Sequence, residues 1–382
     1  MAIVHYDYII VGAGAAGLML LNSMMDDDFF ADKSILVLDK DVKQTNDRTW
    51  CFWEKGEGVF DAIVHKKWQH IYFAGKKMAK RYTIAPYSYK MIRGIDFYNL
   101  VLNRINEHDH ITFLQAEITN AMDNGNLVTV STKETTYTAN KVFNSLFRYD
   151  MATHQTKYPV LQQHFVGWFV KTTKPIFDSD QATYMDFSIA QKGNTRFMYV
   201  LPTAANEALI EYTLFSEHLL PKEDYETAIK DYLKDDLHCS DYQITETEMG
   251  SIPMTVYDFQ EHHSKNMRYI GTAGGWAKPS TGYTFKSTTK KIPKLVAHIK
   301  TGKPLDALGY TNKFWYYDLL FLDVLYKDNA RGYHVFETLF KNRTPQQIFK
   351  FLDEETSFAE DIGNMLGSPI IPFTKALLRR LF

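Results

Sequence analysis

The 382-residue chain has only two cysteines, Cys51 and Cys239. Two thiols cannot build a disulfide framework, and their separation fits no metal-ligand spacing, which points to a reducing compartment and away from zinc or iron–sulfur sites. An excess of charge is also lacking. The 43 Lys and Arg against 45 Asp and Glu leave a formal net charge of −2, without the basic surface that releases counterions from a phosphate backbone, so no nucleic-acid partner is expected. No apolar run approaches the roughly 20 residues needed to span a bilayer. The stretch from Met1 to Tyr8 has no apolar signal-peptide core, and a cytoplasmic protein is expected. No internal repeat or low-complexity tract is present. Aromatic residues, by contrast, are abundant at 15%, and such rings fill cores, line apolar ligand tunnels or settle at membrane surfaces.

The first chemistry-bearing motif lies near the N-terminus. Asp7-Tyr8-Ile9-Ile10-Val11 reads as a buried parallel strand. Gly12-Ala13-Gly14-Ala15-Ala16-Gly17 follows as G-x-G-x-x-G, and strong helix formers run from Leu18 to Met25. In that order Gly12 permits a tight turn, Gly14 lets the backbone approach a pyrophosphate, and Gly17 lets helix and strand pack closely. A second strand, Ile35–Leu38, ends at Asp39, where a ribose-binding acid belongs; a solvated strand-end carboxylate is the alternative. The motif alone does not choose between FAD and NAD.

Beyond this unit the spacing predicts strands at Ile111–Ala116, Asn126–Val130 and Val142–Phe143, then aromatic-rich strands at Gln163–Thr173, Thr195–Leu201 and Ala208–Phe215. Helical periodicity dominates after about Lys290. The fold expected is α/β: a Rossmann-type FAD-binding domain (1–75, continued with sheet insertions over 76–150, and a return segment over 263–310), an inserted β-sheet substrate domain (151–262) and a C-terminal helical region (311–382). The return segment contains Gly271-Thr272-Ala273-Gly274-Gly275-Trp276. A late glycine turn that comes back to the N-terminal fold, as in glutathione-reductase-like flavoproteins, favours FAD over NAD and nominates Gly274 and Gly275; an ordinary glycine-rich loop is the alternative.

Several segments, in their order, resemble the bacterial lycopene β-cyclases of that flavoprotein superfamily. They include Asn46-Asp47-Arg48-Thr49-Trp50-Cys51-Phe52-Trp53, Met91-Ile92-Arg93-Gly94-Ile95-Asp96-Phe97, Gln163-His164-Phe165-Val166-Gly167-Trp168, Met185-Asp186-Phe187, Phe197 to Pro202, Ile210 to Phe215, Gly250-Ser251-Ile252-Pro253-Met254 and the glycine loop up to Phe285. The resemblance implies a redox-neutral cyclisation of the ends of lycopene to β-rings, through γ-carotene to β-carotene, with reduced FAD as the working cofactor and NAD(P)H serving only to reduce it. One departure stands out. Plant enzymes carry Phe-Leu-Glu-Glu-Thr where this chain has Leu209-Ile210-Glu211-Tyr212-Thr213, which argues against any mechanism needing two adjacent acids.

Such a cyclisation needs a carboxylic acid still protonated at neutral pH, and burial in an apolar cavity provides one. Strand alternation puts Glu211 on a largely apolar face with Leu209, Thr213 and Phe215; an exposed or paired strand carboxylate is the alternative, and with the resemblance Glu211 is the candidate acid. Asp186 is the second catalytic candidate, positioning Glu211 or the ring-forming end, with a structural hydrogen bond as the alternative. The resemblance puts Glu248, before Gly250 and Pro253, at a flavin-side position, with a turn-stabilising role as the alternative. Arg48 and Arg93 are candidates for holding the cofactor, against surface salt bridges. A hydrocarbon substrate implies contact with the membrane surface, on its inner face. In the tail, Phe373, Ala376, Leu377 and Leu381 follow helical spacing with Lys375, Arg379 and Arg380 between them, fitting an interfacial helix or a core stripe. The rival classes are a flavin-dependent carotenoid monooxygenase or desaturase and a non-catalytic flavin or carotenoid binder.

Overall fold

The computed structural model describes residues 4–310 and 312–381. The run Tyr8–Val11 lies at the centre of a seven-stranded sheet because it can be apolar on both faces: Ile10 packs on the helix side and Ile9 and Val11 on the other. Val4–Val11 pairs in parallel with Ile35–Asp39 and Thr136–Asn144, and Ile35–Asp39 with Ile111–Gln115. Val128–Thr132 and Ile118–Asp123 extend the sheet in antiparallel fashion, and the late strand Met267–Tyr269 returns beside the end of Thr136–Asn144. The helix Ala15–Met25 packs against Phe285–Lys300 through Leu18, Leu21, Ile292 and Leu295, all buried.

A second seven-stranded sheet carries Tyr242–Met254, Leu161–Thr172, Glu207–Ser216, Thr195–Ala204 and Gln181–Asp186 side by side. Its remaining strands, His70–Ala74 and Ala79–Thr83, come from far earlier in the chain, at the junction of the two segments, 1–75 and 76–150, expected to belong to the nucleotide domain. One face of this sheet packs on the helix Lys222–Asp231 through Ile210, Tyr212 and Leu214. The alternate positions, Leu209 and Phe215, face the C-terminal helices. A small third sheet, Thr49–Lys55, Tyr87–Arg93 and Val64–Trp68, completes the strands named here.

After Lys313 the chain is helical. Capping boxes at Thr344/Gln347 and Ser357/Glu360 start two of these helices. Buried Lys278 pins the region to the glycine loop through Asp318 at 2.8 Å and Glu354 at 2.9 Å. In the tail, Ala376 is buried with Phe373 packed beside it, while Leu378 and Leu381 on the same helix are exposed. Arg380 is bound on both oxygens of Asp323 and is not a free membrane-facing charge. No helix among the described residues is long and apolar enough to cross a membrane.

Candidate functional site

The C-terminal ends of the first-sheet strands open into a cavity of about 660 Å³ that also touches the second sheet. At one end, Gly12 has φ +96°, and a Cβ there would lie 2.1 Å from Ser145 Oγ. A Cβ on Gly17 would stand 2.0 Å from the Gly12 carbonyl oxygen, so helix and strand approach as closely as the motif requires. Gly14 differs: nothing lies within 4 Å of where its Cβ would be. That open space sits at the start of the Ala15–Met25 helix, whose first N–H groups have no side-chain cap. Uncapped N–H groups beside open space suit an anion such as a pyrophosphate. Asp39 accepts from the Ala13 amide at 2.6 Å and the Asp41 amide at 2.8 Å, and each oxygen keeps lone-pair capacity for ribose hydroxyls. These residues fit a dinucleotide.

At the other end stand two carboxyls. The register places Glu211 and Glu248 opposite the same residue, Gly167, on the two strands flanking Leu161–Thr172. A Cβ at Gly167 would lie 3.2 Å from Glu248 Cγ and 3.6 Å from Glu211 Cβ. Glycine is therefore what lets two acids occupy one row of the sheet. Tyr199 continues the row beyond Glu211. The cavity wall adds Tyr89, Tyr283, Phe165, Phe285 and Trp50.

Among the described residues neither acid makes a salt bridge. Burial raises the Glu211 carboxyl to about 8, the nearby charge of Glu248 adds to the rise, and the Thr213 hydroxyl, donating at 2.5 Å, only partly offsets it. Burial likewise raises Glu248 to about 7 against the pull of Thr49 and Arg48. Its Oε2 is buried without a hydrogen-bond partner among the described residues. Two acids this close titrate as a unit, so near neutrality at least one proton stays on the pair. The second acid, missing beside Glu211 in the sequence, is supplied from across the sheet.

Other nominated residues are placed elsewhere. Arg48 does line the cavity, donating to the Met249 carbonyl at 3.2 Å. Arg93 turns to Glu246 at 2.5 Å and does not reach the cavity wall, so the salt-bridge alternative describes it. Asp186 also lies off the wall: it accepts from the Ser188 amide and hydroxyl and, at 2.8 Å, from the Tyr232 hydroxyl. Those bonds tie the end of its strand to the segment after the Lys222–Asp231 helix. Gly274 and Gly275 face a different cavity, and the late turn reaches the first one through Gly271 and Thr272 instead. A Cβ on Gly271 would stand 2.8 Å from that of Ala16, so this glycine permits the return. Gly167, Tyr199 and Tyr283 were not singled out from the sequence; Tyr283 lies in the glycine loop that ends at Phe285, whereas Gly167 and Tyr199 join Glu211 only through cross-strand register.

Comparison with solved structures identifies the fold. A geranylgeranyl bacteriochlorophyll reductase-like protein from Thermoplasma acidophilum is similar over 100% of both chains, with a TM-score of 0.59 and 9% identity. A flavoprotein/dehydrogenase from Cytophaga hutchinsonii is similar over 99% of both chains, with a TM-score of 0.59 and 12% identity. The halogenase PltM, solved in complex with FAD, covers 94% of this chain and 85% of its own, with a TM-score of 0.60 and 12% identity. At such identities the likeness concerns the fold alone. Among curated proteins, sequence comparison finds no match. The family described as Lycopene cyclase protein matches residues 7–378, nearly the whole chain, and the protein belongs to that family.

Proposed function

We propose that the protein is a lycopene β-cyclase that uses reduced FAD and isomerises the linear ends of lycopene to β-rings without net oxidation or reduction. The observation that carries this reading is the pair Glu211 and Glu248, in no salt bridge among the described residues and raised in pKa, in an aromatic-walled cavity that ends at the dinucleotide motif. Gly12 and Gly14 would hold the pyrophosphate and Asp39 the ribose. When bound, reduced flavin supplies negative charge near a developing carbocation, with NAD(P)H as the source of its electrons.

Everything else falls to the chain. Neutral Glu211 gives its proton to the terminal alkene, and the ring closes as the neighbouring double bond attacks the cation. A carboxylate of the pair then removes a ring proton. One proton is gained and one lost, so the product is an isomer. The faces of Tyr89, Tyr199 and Tyr283 stabilise the cation while keeping water away. Flavoproteins of similar fold include halogenases and monooxygenases, so the fold does not decide the chemistry and the acids must.

The test is anaerobic incubation of purified protein, reduced FAD and lycopene. A product of unchanged mass with a β-ring spectrum is expected. A product heavier by oxygen or lighter by hydrogen, or a need for oxygen, would assign a hydroxylase or desaturase instead, and unchanged pigment a carrier.

A further inference from the structure

The helices Phe358–Leu366 and Ile370–Leu381 turn an apolar face outward: Phe358 is 68% exposed, Leu366 60%, Ile371 70% and Leu381 62%. Isolated exposed apolar side chains are ordinary, but large ones concentrated on two successive helices mark an interaction surface. Beneath them lies a cavity of about 270 Å³ with a predominantly apolar wall. Leu366 and Ile370 belong both to the exposed face and to the cavity wall, so the cavity opens through that face. At its inner end are Tyr184 and Thr281. Thr281 also lines the cavity of the two acids, and the Tyr184 ring meets Tyr199, the register partner of Glu211, edge-on with centroids 6.3 Å apart.

The rim is basic. Lys375 makes no ion pair among the described residues, and the Arg379 guanidinium reaches only the Lys375 carbonyl, at 3.2 Å. We propose that this helix pair rests on a lipid bilayer and that the cavity beneath it is the portal by which a long hydrocarbon reaches Glu211. The hydrocarbon's identity rests on the cyclase reading; the docking does not. Free cations beside long aliphatic side chains match an anionic lipid surface. A second copy of the chain on the same face would seal the opening, which is why the bilayer is the occupant chosen.

The test uses flotation of the full chain with phosphatidylcholine vesicles, with and without phosphatidylglycerol. Ile371→Glu with Leu378→Glu should lower the bound fraction about tenfold or more on both vesicle types, and Lys375→Gln with Arg379→Gln only on the anionic ones, by about fivefold per charge. Flavin content and melting temperature serve as folding controls. Leu339→Trp and Leu320→Phe, which fill the cavity, should float as the parent does yet turn over vesicle-borne lycopene about tenfold more slowly. Parental flotation of the double glutamate variant overturns the docking face, as does its conversion of a dimer to a monomer with flotation unchanged. Parental turnover in both cavity-filling variants overturns the portal. A parent chain that floats but yields no isomeric product in any lipid or detergent would instead remove the cyclase reading.

Discussion

Two pairs of acids are enclosed by this fold, and they behave in opposite ways. Glu54 and Asp61 surround the buried ammonium of Lys90, at 2.8 and 2.5 Å, with Lys286 and Lys67 alongside. Burial opposes their ionisation, but the lysines outweigh it: Glu54 is lowered, and Asp61 falls to about 2. Glu211 and Glu248 are buried more deeply and have no lysine between them, so burial prevails and both rise. Residue type is therefore no guide to protonation state; depth of burial and neighbouring charge decide it together. The first pair is an ionic clamp between two strands of the small sheet and the turn between them. The second stores protons at neutral pH, which is what an acid catalyst requires.

The largest effect expected is at Glu211. Glu211→Gln keeps size and hydrogen bonding but cannot transfer a proton, so turnover should fall by more than about 10²-fold at matched flavin content. Asp should retain more activity than Gln, although its carboxyl sits one methylene short. The same variant should alter stability in the direction opposite to its activity. A carboxyl whose folded pKa is raised contributes stability below its ordinary pKa, and this is lost as pH rises toward 8, at most about 1.4 kcal/mol per pH unit per group. Glu211→Gln should therefore be more stable than the parent at pH 8 than at pH 5, read by denaturant melts at the two pH values. A Gln variant with parental turnover would move the proton donor to another group.

Lys90→Met should do the reverse. Without its ammonium, Glu54 and Asp61 keep only Lys286 and Lys67 at the rim, and a loss of about 3 kcal/mol of stability is expected near neutral pH. Because these acids are lowered in the fold, the parent's stabilisation from them is present above their ordinary pKa and disappears as pH falls through the folded values. The variant and parent should converge in stability in acid. Turnover per folded molecule should stay parental, and a turnover loss as large as that of Glu211→Gln would make the two acid pairs functionally alike.

The contrast between the pairs was only partly legible beforehand, and the reason is range. The strand–glycine–helix motif and Asp39 lie within one local unit, so the residues that fit the dinucleotide could be read directly. For Glu211 alternation, which is local too, gave the largely apolar face, and the resemblance gave the role. Glu248 opposite Gly167 was not, since the register joins three strands spread from Leu161 to Met254 and only cross-strand pairing reveals it. Arg93 and Asp186 were placed by partners equally remote, Glu246 and Tyr232. The strand Ala79–Thr83 has largely exposed side chains and lies at the sheet edge, so no apolar alternation announced its membership in the second sheet.

The finest distinction concerns Glu248, which is either an equal partner in proton transfer or the charge that tunes Glu211. Its like charge is one cause of the raised pKa of Glu211, after burial. Glu248→Gln removes that charge at every pH, and its amide can place a donor where Oε2 now lacks a partner. If tuning is the role, turnover near pH 6 should stay close to the parent's, because Glu211 is protonated there in both proteins. The alkaline limb of the turnover profile should move to lower pH by roughly one unit or less, since burial, the larger cause, remains. A uniform loss across the whole profile would instead make Glu248 the base that takes the ring proton. Glu248→Asp separates the cases further: it restores a titratable charge beside Glu211 and should return the alkaline limb toward the parental position. A base displaced by one methylene would still be slow.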